Sequence, residues 1–177
     1  MNYSEIRPID TSNGPGVRVS IFVSGCRHHC KNCFNQETWC FNYGNVYDEN
    51  AHNRLISYIN KEFIDGLTIL GGEPLEPENV SGILSIAKDV NMKFPDKNIW
   101  LYSGFTFEEL QERREKEIEL DEILKRINHL VEGRFVEGKK DLRLKFRGSS
   151  NQRIYKRIGD TLVIDEKYNW FFMQNII

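Results

Sequence analysis

The sequence predicts an α/β fold, a partial β/α barrel with a mostly parallel sheet. Short runs rich in β-branched and aromatic residues alternate with longer stretches whose apolar residues recur at helical spacing. Alternation of this kind implies parallel strands joined by crossover helices. The chain has 177 residues, whereas a complete eightfold barrel takes roughly 250, so the barrel is incomplete.

The first strand is "VRVSIFVS", 17–24, and it ends at Gly25, where a cysteine-rich stretch begins. "DENAHNRLISYINKE", 48–62, follows an acidic start with Leu55, Ile56 and Ile59 at helical spacing. "GLTILGG", 66–72, is a short buried strand, "EPENVSGILSIAKDVNMKF", 76–94, a second helix, and "NIWLYSG", 98–104, the next strand. One long helix is expected over 106–128, with Thr106 as its cap and Glu109 three residues on. Its charged run "QERREKE", 111–117, reads as a solvated face. "HLVEGRF", 129–135, is another short strand, and residues 133–160, rich in Gly, Lys and Arg, read as loop and sheet edge. Residues 1–177 are thus expected to form a single domain with an irregular C-terminal extension from about 133.

Composition bounds the function. With 40% hydrophobic and 12% aromatic residues the chain can fill a core. Basic and acidic residues number 24 and 26, so nothing global points to nucleic acid or a membrane as partner. The segment "MNYSEIRPIDTSNGPG" lacks a basic stretch followed by an apolar one, and no run has the length of a membrane span. A cytoplasmic location is expected. Four cysteines, three of them crowded together, do not resemble a secreted disulfide framework and favour thiolate chemistry.

Those three are Cys26, Cys30 and Cys33 in "VSGCRHHCKNCFN". Their spacing lets a short loop wrap one side of a compact metal centre. The residues alone leave three arrangements open. A zinc-stabilised binding module needs a fourth ligand, from His28, His29 or Cys40. A helix would put the cysteines on one buried face, against which Gly25 and the polar residues between the cysteines argue. A [4Fe-4S] cluster normally takes four thiolates; held by three, it keeps one iron open to something that reacts. The turn "GGEP", 71–74, adds a second feature. Gly71 and Gly72 let backbone approach a ligand at the carboxyl end of a strand. Pro74 keeps Glu73 out of the helical region, so its carboxylate is expected to be exposed there, ready for a cationic ammonium. The alternative is an ordinary strand-to-helix turn with proline near the helix start.

"CRHHCKNC" after one strand and "GGEP" after the next resemble the radical S-adenosylmethionine superfamily. The resemblance implies a partial barrel of that type, with Cys26, Cys30 and Cys33 holding a [4Fe-4S] cluster whose fourth iron takes the amino and carboxylate groups of S-adenosyl-L-methionine. It implies further that Gly71, Gly72 and Glu73 receive the methionyl ammonium, and that Ser103 reaches the ribose or the methionyl carboxylate. The superfamily commonly places an aromatic residue just before the third cysteine; this chain has Asn32 there and Phe34 just after. The segment Asn32 to Phe34 is therefore implied to meet the adenine. Only Cys40 lies outside the motif, so a second four-cysteine cluster has no ligands. Cys40 reads as a buried hydrophobe or an inert thiol, and His28 and His29 as solvent-facing groups or supports behind the ligands.

A partial barrel leaves its open side uncovered, which favours a protein substrate that brings its own cover. "NGPGVRVSIFVSGCRHHCKNCFNQETW", "LGGEPLEPENV", "IWLYSGF" and "LVEGRFVEGKKDLRLKFRGSSNQR" are together similar to the activating proteins of anaerobic (class III) ribonucleotide reductase. "RGSSNQR" sets them apart from pyruvate formate-lyase activators, the activators of another glycyl radical enzyme. Membership would imply an activase: an electron from reduced flavodoxin or a similar donor enters the cluster, S-adenosylmethionine is cleaved to methionine and a 5'-deoxyadenosyl radical, and that radical takes a hydrogen from a glycine of the reductase large subunit. "RGSSNQR" itself reads either as a polar turn in which Ser149, Ser150 and Asn151 bond their own backbone, or as a docking patch using Arg147 and Arg153.

Overall fold

In a computed structural model, which describes residues 1–173, the elements are β1 (Asn2–Asp10), β2 (Arg18–Val23), β3 (Asn45–Val46), α1 (Glu49–Ile59), β4 (Gly66–Gly71), α2 (Pro77–Lys93), β5 (Asn98–Ser103), α3 (Phe107–Arg114), α4 (Ile118–Arg126), β6 (His129–Glu132), β7 (Arg153–Ile158), β8 (Thr161–Ile164) and α5 (Glu166–Met173). The strands form one eight-stranded sheet in the order β3-β1-β2-β4-β5-β6-β7-β8. The α/β class is as the sequence predicts. Parallel pairing, however, is confined to β2, β4, β5 and β6. Antiparallel strands flank them, β1 and β3 on one side, β7 and β8 on the other.

Register sets up the site. Val23 pairs with Gly71, Ile69 with Leu101 and Ser103 with Glu132, so four parallel strands end along one rim. Alternation divides the sheet into two faces. Val19, Ile21, Leu67, Ile69, Ile99, Leu101 and Leu130 belong to the main aliphatic core, together with Leu55 and Ile59 of α1, Ile83, Ile86 and Val90 of α2, and Leu120 and Ile123 of α4. The opposite face carries a smaller aromatic cluster of Trp100, Val131, Ile154 and Tyr168, with Tyr102 and Phe146 against it.

Local chemistry explains where the helices begin. Asp48 accepts from the Ala51 amide at 2.8 Å as the cap of α1, and Pro77 opens α2, where its missing N–H costs nothing. Thr106 caps α3 with a reciprocal box: the Glu109 amide donates to Thr106 Oγ1 at 3.2 Å, and the Thr106 amide donates to Glu109 Oε2 at 2.8 Å. Thr106→Ala should cost about 1 kcal/mol, read as a fall of about 2–4 °C in the thermal midpoint.

The single long helix expected over 106–128 is broken. α3 stops at Arg114, Glu117 is extended, and α4 restarts at Ile118. A continuous helix would place Leu110 about a quarter-turn away from the stripe of Leu120, Ile123 and Leu124; the break lets all four be buried. Arg113 spans it, pairing with Glu117 at 2.7 Å and donating to the Leu75 carbonyl at 2.9 Å. The charged run is otherwise solvated, as expected.

The N-terminal strand β1 was not anticipated. Its sequence, "NYSEIRPID", contains Pro8 and buries only Tyr3 and Asp10. Beyond Tyr3 it has β2 alone as a partner, an edge position where proline and charge are tolerated. Within residues 133–160 the chain is irregular up to Gln152, apart from a 3-10 turn over Glu137–Lys139, and then enters β7. No helix among the described residues is long and apolar enough to cross a membrane.

Candidate iron-sulfur site

The cysteine loop leaves the end of β2 and is stitched to its own return segment. The Gly25 amide donates to the Thr38 carbonyl at 2.7 Å and the Cys26 amide to the Trp39 carbonyl at 3.1 Å. Cys26 is buried, Cys30 and Cys33 are half-buried, and all three are free thiols. They line one cavity of about 150 Å³ with Gly71, Gly72 and Glu73 from the turn after β4 and Ser103 and Gly104 from the end of β5. Trp39, Tyr102, Phe135 and Gln152 complete the wall. Both sequence motifs therefore meet at the rim where the parallel strands end.

Burial pushes the Cys26 thiol up to about 12 and raises that of Cys30 as well, so both stay protonated at neutral pH unless a bound cation draws off the proton. Among the described residues a fourth protein ligand is not in place. His28 Nε2 is engaged with Glu73 at 3.0 Å, the His29 ring is stacked on Trp39 at 4.5 Å, and Cys40 is exposed, not buried as its residue type suggested. Among the described residues no three His, Cys, Asp or Glu side chains are grouped around a single ion. Three soft thiols spread around one cavity fit a polynuclear iron centre better than a tetrahedral zinc. Among the described residues, two residues lining the cavity carry a buried donor without a hydrogen-bond partner, Trp39 Nε1 and the Tyr102 hydroxyl, as groups beside a polar ligand site can.

Glu73 departs from expectation. Its side chain is fully buried, at 0% exposure, instead of open at the strand end. Oε1 accepts from the Leu75 amide at 2.9 Å and from Ser103 Oγ at 3.0 Å; Oε2 takes the Gly104 amide at 2.6 Å and His28. The Gly72 amide donates to the Val23 carbonyl at 2.7 Å and the Glu73 amide to Gly25 at 2.8 Å, sewing the turn to the start of the cysteine loop. Ser103 is likewise buried and committed to Glu73.

Asn32 and Phe34 do not line this cavity. Asn32 takes a left-handed backbone, φ 56°, and its amide group donates to the Glu137 carboxylate, away from the thiols. Phe34, 67% exposed, lies 5.8 Å from the Phe135 ring and borders an adjoining cavity that shares Cys33, Asn35, Leu70, Tyr102, Phe135 and Gln152 with the first. Asn35, Trp39, Tyr102 and Gln152 were not singled out in the sequence. Tyr102 was legible in principle, since it alternates with the core residue Leu101 one position before Ser103.

"RGSSNQR" is bonded both within itself and to neighbouring segments. Gln152 Oε1 accepts from the amides of Gly148 and Ser149 at 2.8 and 3.1 Å, and Asn151 reaches the Arg134 carbonyl at 2.9 Å. Arg147 donates to the Gln152 carbonyl and to Asn169, and Arg153 pairs with Glu132 at 2.6 Å and Glu108 at 3.0 Å. A polar turn forms, but not through the bonds expected of it: Gln152 closes it, while Ser149 Oγ accepts from the Val136 amide at 3.2 Å and Asn151 reaches Arg134, both outside the segment; the two arginines of the docking alternative are engaged within the chain.

Residues 12–155 match the model of a 4Fe-4S single cluster domain. Over 158 residues, 88% of this chain and 98% of the relative, the sequence is 39% identical to the anaerobic ribonucleoside-triphosphate reductase-activating protein of Vibrio cholerae. It is 38% identical over 157 residues to the protein of that name from Escherichia coli and 37% identical over 158 residues to that of Haemophilus influenzae, in each case across 88% of this chain and 98% of the relative. With three free thiols on one cavity wall and likeness over nearly the whole length of these relatives, the chain belongs to the family of anaerobic ribonucleoside-triphosphate reductase-activating proteins, which carry a 4Fe-4S single cluster domain.

Proposed function

We propose that the chain acts as one radical S-adenosylmethionine domain, a partial barrel that activates the large subunit of an anaerobic ribonucleotide reductase. The observation that carries this reading is the trio of free thiols Cys26, Cys30 and Cys33 facing the Gly71–Glu73 turn, with no fourth protein ligand among the described residues. When bound, a [4Fe-4S] cluster and S-adenosyl-L-methionine supply a one-electron cleavage of the sulfonium and the removal of a hydrogen atom from a glycine of the reductase, the electron coming from a reduced flavodoxin or a similar donor.

The protein's own residues do the holding. Cys26, Cys30 and Cys33 would hold the cluster, as thiolates once their protons are lost. Gly71 and Gly72 let the turn pack directly against β2 and the cysteine loop, where an added Cβ on Gly72 would stand 2.6 Å from the Gly25 carbonyl, and so hold the turn beside the thiols where the methionyl end would lie. Glu73 and Ser103 form the polar wall on that side, Glu73 lending negative charge near the ammonium. For the adenine we assign the second cavity, where the Phe34 and Phe135 rings, tilted 60° to each other, each offer an apolar face; Asn32 contributes backbone only.

Anaerobically reconstituted protein should be brown, bind about four irons per chain, and change its reduced electron-resonance spectrum on addition of S-adenosylmethionine. Mixed with a reduced flavodoxin and the reductase large subunit, it should raise a glycyl doublet on that subunit. Colourless protein holding stoichiometric zinc after the same treatment would sink the reading.

A further inference from the structure

His28, one of two histidines between the cysteines, sits in a closely fitted pocket. The side chain is 7% exposed, with Nε2 3.0 Å from Glu73 Oε2. Phe105 packs edge-on against the ring at 4.5 Å. Beneath it lies Gly104, where an added Cβ would stand 2.3 Å from His28 Cδ2; only glycine leaves room for the imidazole. A buried carboxylate has to be met by donors. Three of the four that meet Glu73, the amides of Leu75 and Gly104 and the hydroxyl of Ser103, come from elements fixed by the sheet and α2. The fourth comes from the cysteine loop. The same loop has further ties to this region: the Gly25 carbonyl accepts from the Glu73 amide at 2.8 Å, and the Arg27 amide and guanidinium meet Glu76 at 2.8 and 2.6 Å, with a second ion pair from Arg27 to Glu78; among them, His28 is the side chain that reaches the Glu73 carboxylate.

We propose that His28 is a positioning residue: by donating to the Glu73 carboxylate over Gly104, it locks the cysteine loop to the turn after β4, so that the thiols and the methionyl end of the cofactor face each other at a fixed separation. The inference rests on the proposed function. Glu73 then acts mainly through the loop and turn it joins, which is why its carboxylate is saturated by donors from this chain.

The test uses anaerobically reconstituted full-length protein, with the S-adenosylmethionine dissociation constant read from the change in the reduced cluster's electron-resonance spectrum, and iron per chain measured alongside. His28→Ala should weaken binding about tenfold, the value of one hydrogen bond to a charged group, with iron content near that of the parent. His28→Gln, whose amide nitrogen can stand where Nε2 does, should recover most of the loss. Gly104→Ala displaces the ring and should weaken binding as His28→Ala does, while adding Gly104→Ala to His28→Ala should cost little more, the non-additivity expected of two residues sharing one contact. Unchanged or tighter binding in His28→Ala, or additive losses in the double variant, would overturn the inference and leave the proposed function standing. Absence of any S-adenosylmethionine effect in the unsubstituted protein would overturn both.

Discussion

Replacing any one of Cys26, Cys30 and Cys33 by alanine is expected to abolish glycyl-radical formation, with a loss of brown colour and bound iron, whereas Cys40→Ala should retain all three. The difference follows from place. The first three line one cavity as free thiols, while Cys40 lies past the return segment, exposed. A polynuclear centre held at three points has no ligand to spare. His28 and His29 are already engaged, on Glu73 and Trp39, and cannot substitute without dismantling those contacts. The folded chain itself should survive, since removal of one sulfur from Cys26 or from the half-buried Cys30 and Cys33 leaves only a small void; unfolding of the metal-free variants is expected within about 1 kcal/mol of the parent. Iron uptake in the parent should also weaken as pH falls, because binding must expel protons from thiols whose burial favours the protonated form. Loss of the radical in Cys40→Ala, or its retention in any of the other three, would refute the ligand assignment.

What the sequence made legible was whatever repeated a period or a spacing. The strands β2, β4 and β5 are nearly continuous apolar runs, because the central strands of a parallel sheet are covered on both faces. The helices α1 and α2 announce themselves by stripes and caps. The spacing of the cysteines marked the loop. The edges were hidden: β1 interrupts its pattern with Pro8 and Glu5, and the β7–β8 hairpin mixes charge with apolar residues because part of its surface is wet. The break between α3 and α4 was hidden for a different reason. Charged residues at 115–117 suit a helix, and only the angular mismatch between Leu110 and Leu120, set by the core on which both land, ends it. In the site, residue type identified Glu73, but the donors that saturate its carboxylate come from three separate stretches of chain, a convergence that no local pattern encodes.

The same limit hid Arg18, which reads as an ordinary charge at the start of a strand and is fully buried. It sits on the face opposite the aliphatic core, at the amino ends of the parallel strands, and therefore at the far end of the sheet from the thiols. Its guanidinium donates to Thr68 Oγ1 at 2.7 Å, to the Leu67 carbonyl at 2.7 Å and to Asn98 Oδ1 at 2.8 Å, with a longer contact to the Pro15 carbonyl at 3.3 Å, so it ties β2, β4 and β5 to the loop ahead of them. Burial lowers its pKa to about 10, still far enough above neutrality for the charge to persist. Arg18→Leu would strand these acceptors in the interior, and a loss on the order of 3–5 kcal/mol is expected. For a chain of this length that is a fall of roughly 6–20 °C in the thermal midpoint. Arg18→Lys keeps the charge but not the fork of donors and should lose a substantial part of it. Because the parallel strands hold the loops at their other ends, the surviving folded fraction should still bind iron and S-adenosylmethionine with the parent's affinity. A variant as stable as the parent would show that the buried guanidinium is replaceable by hydrocarbon, and a variant stable but unable to bind iron would show that the two ends of the sheet are coupled.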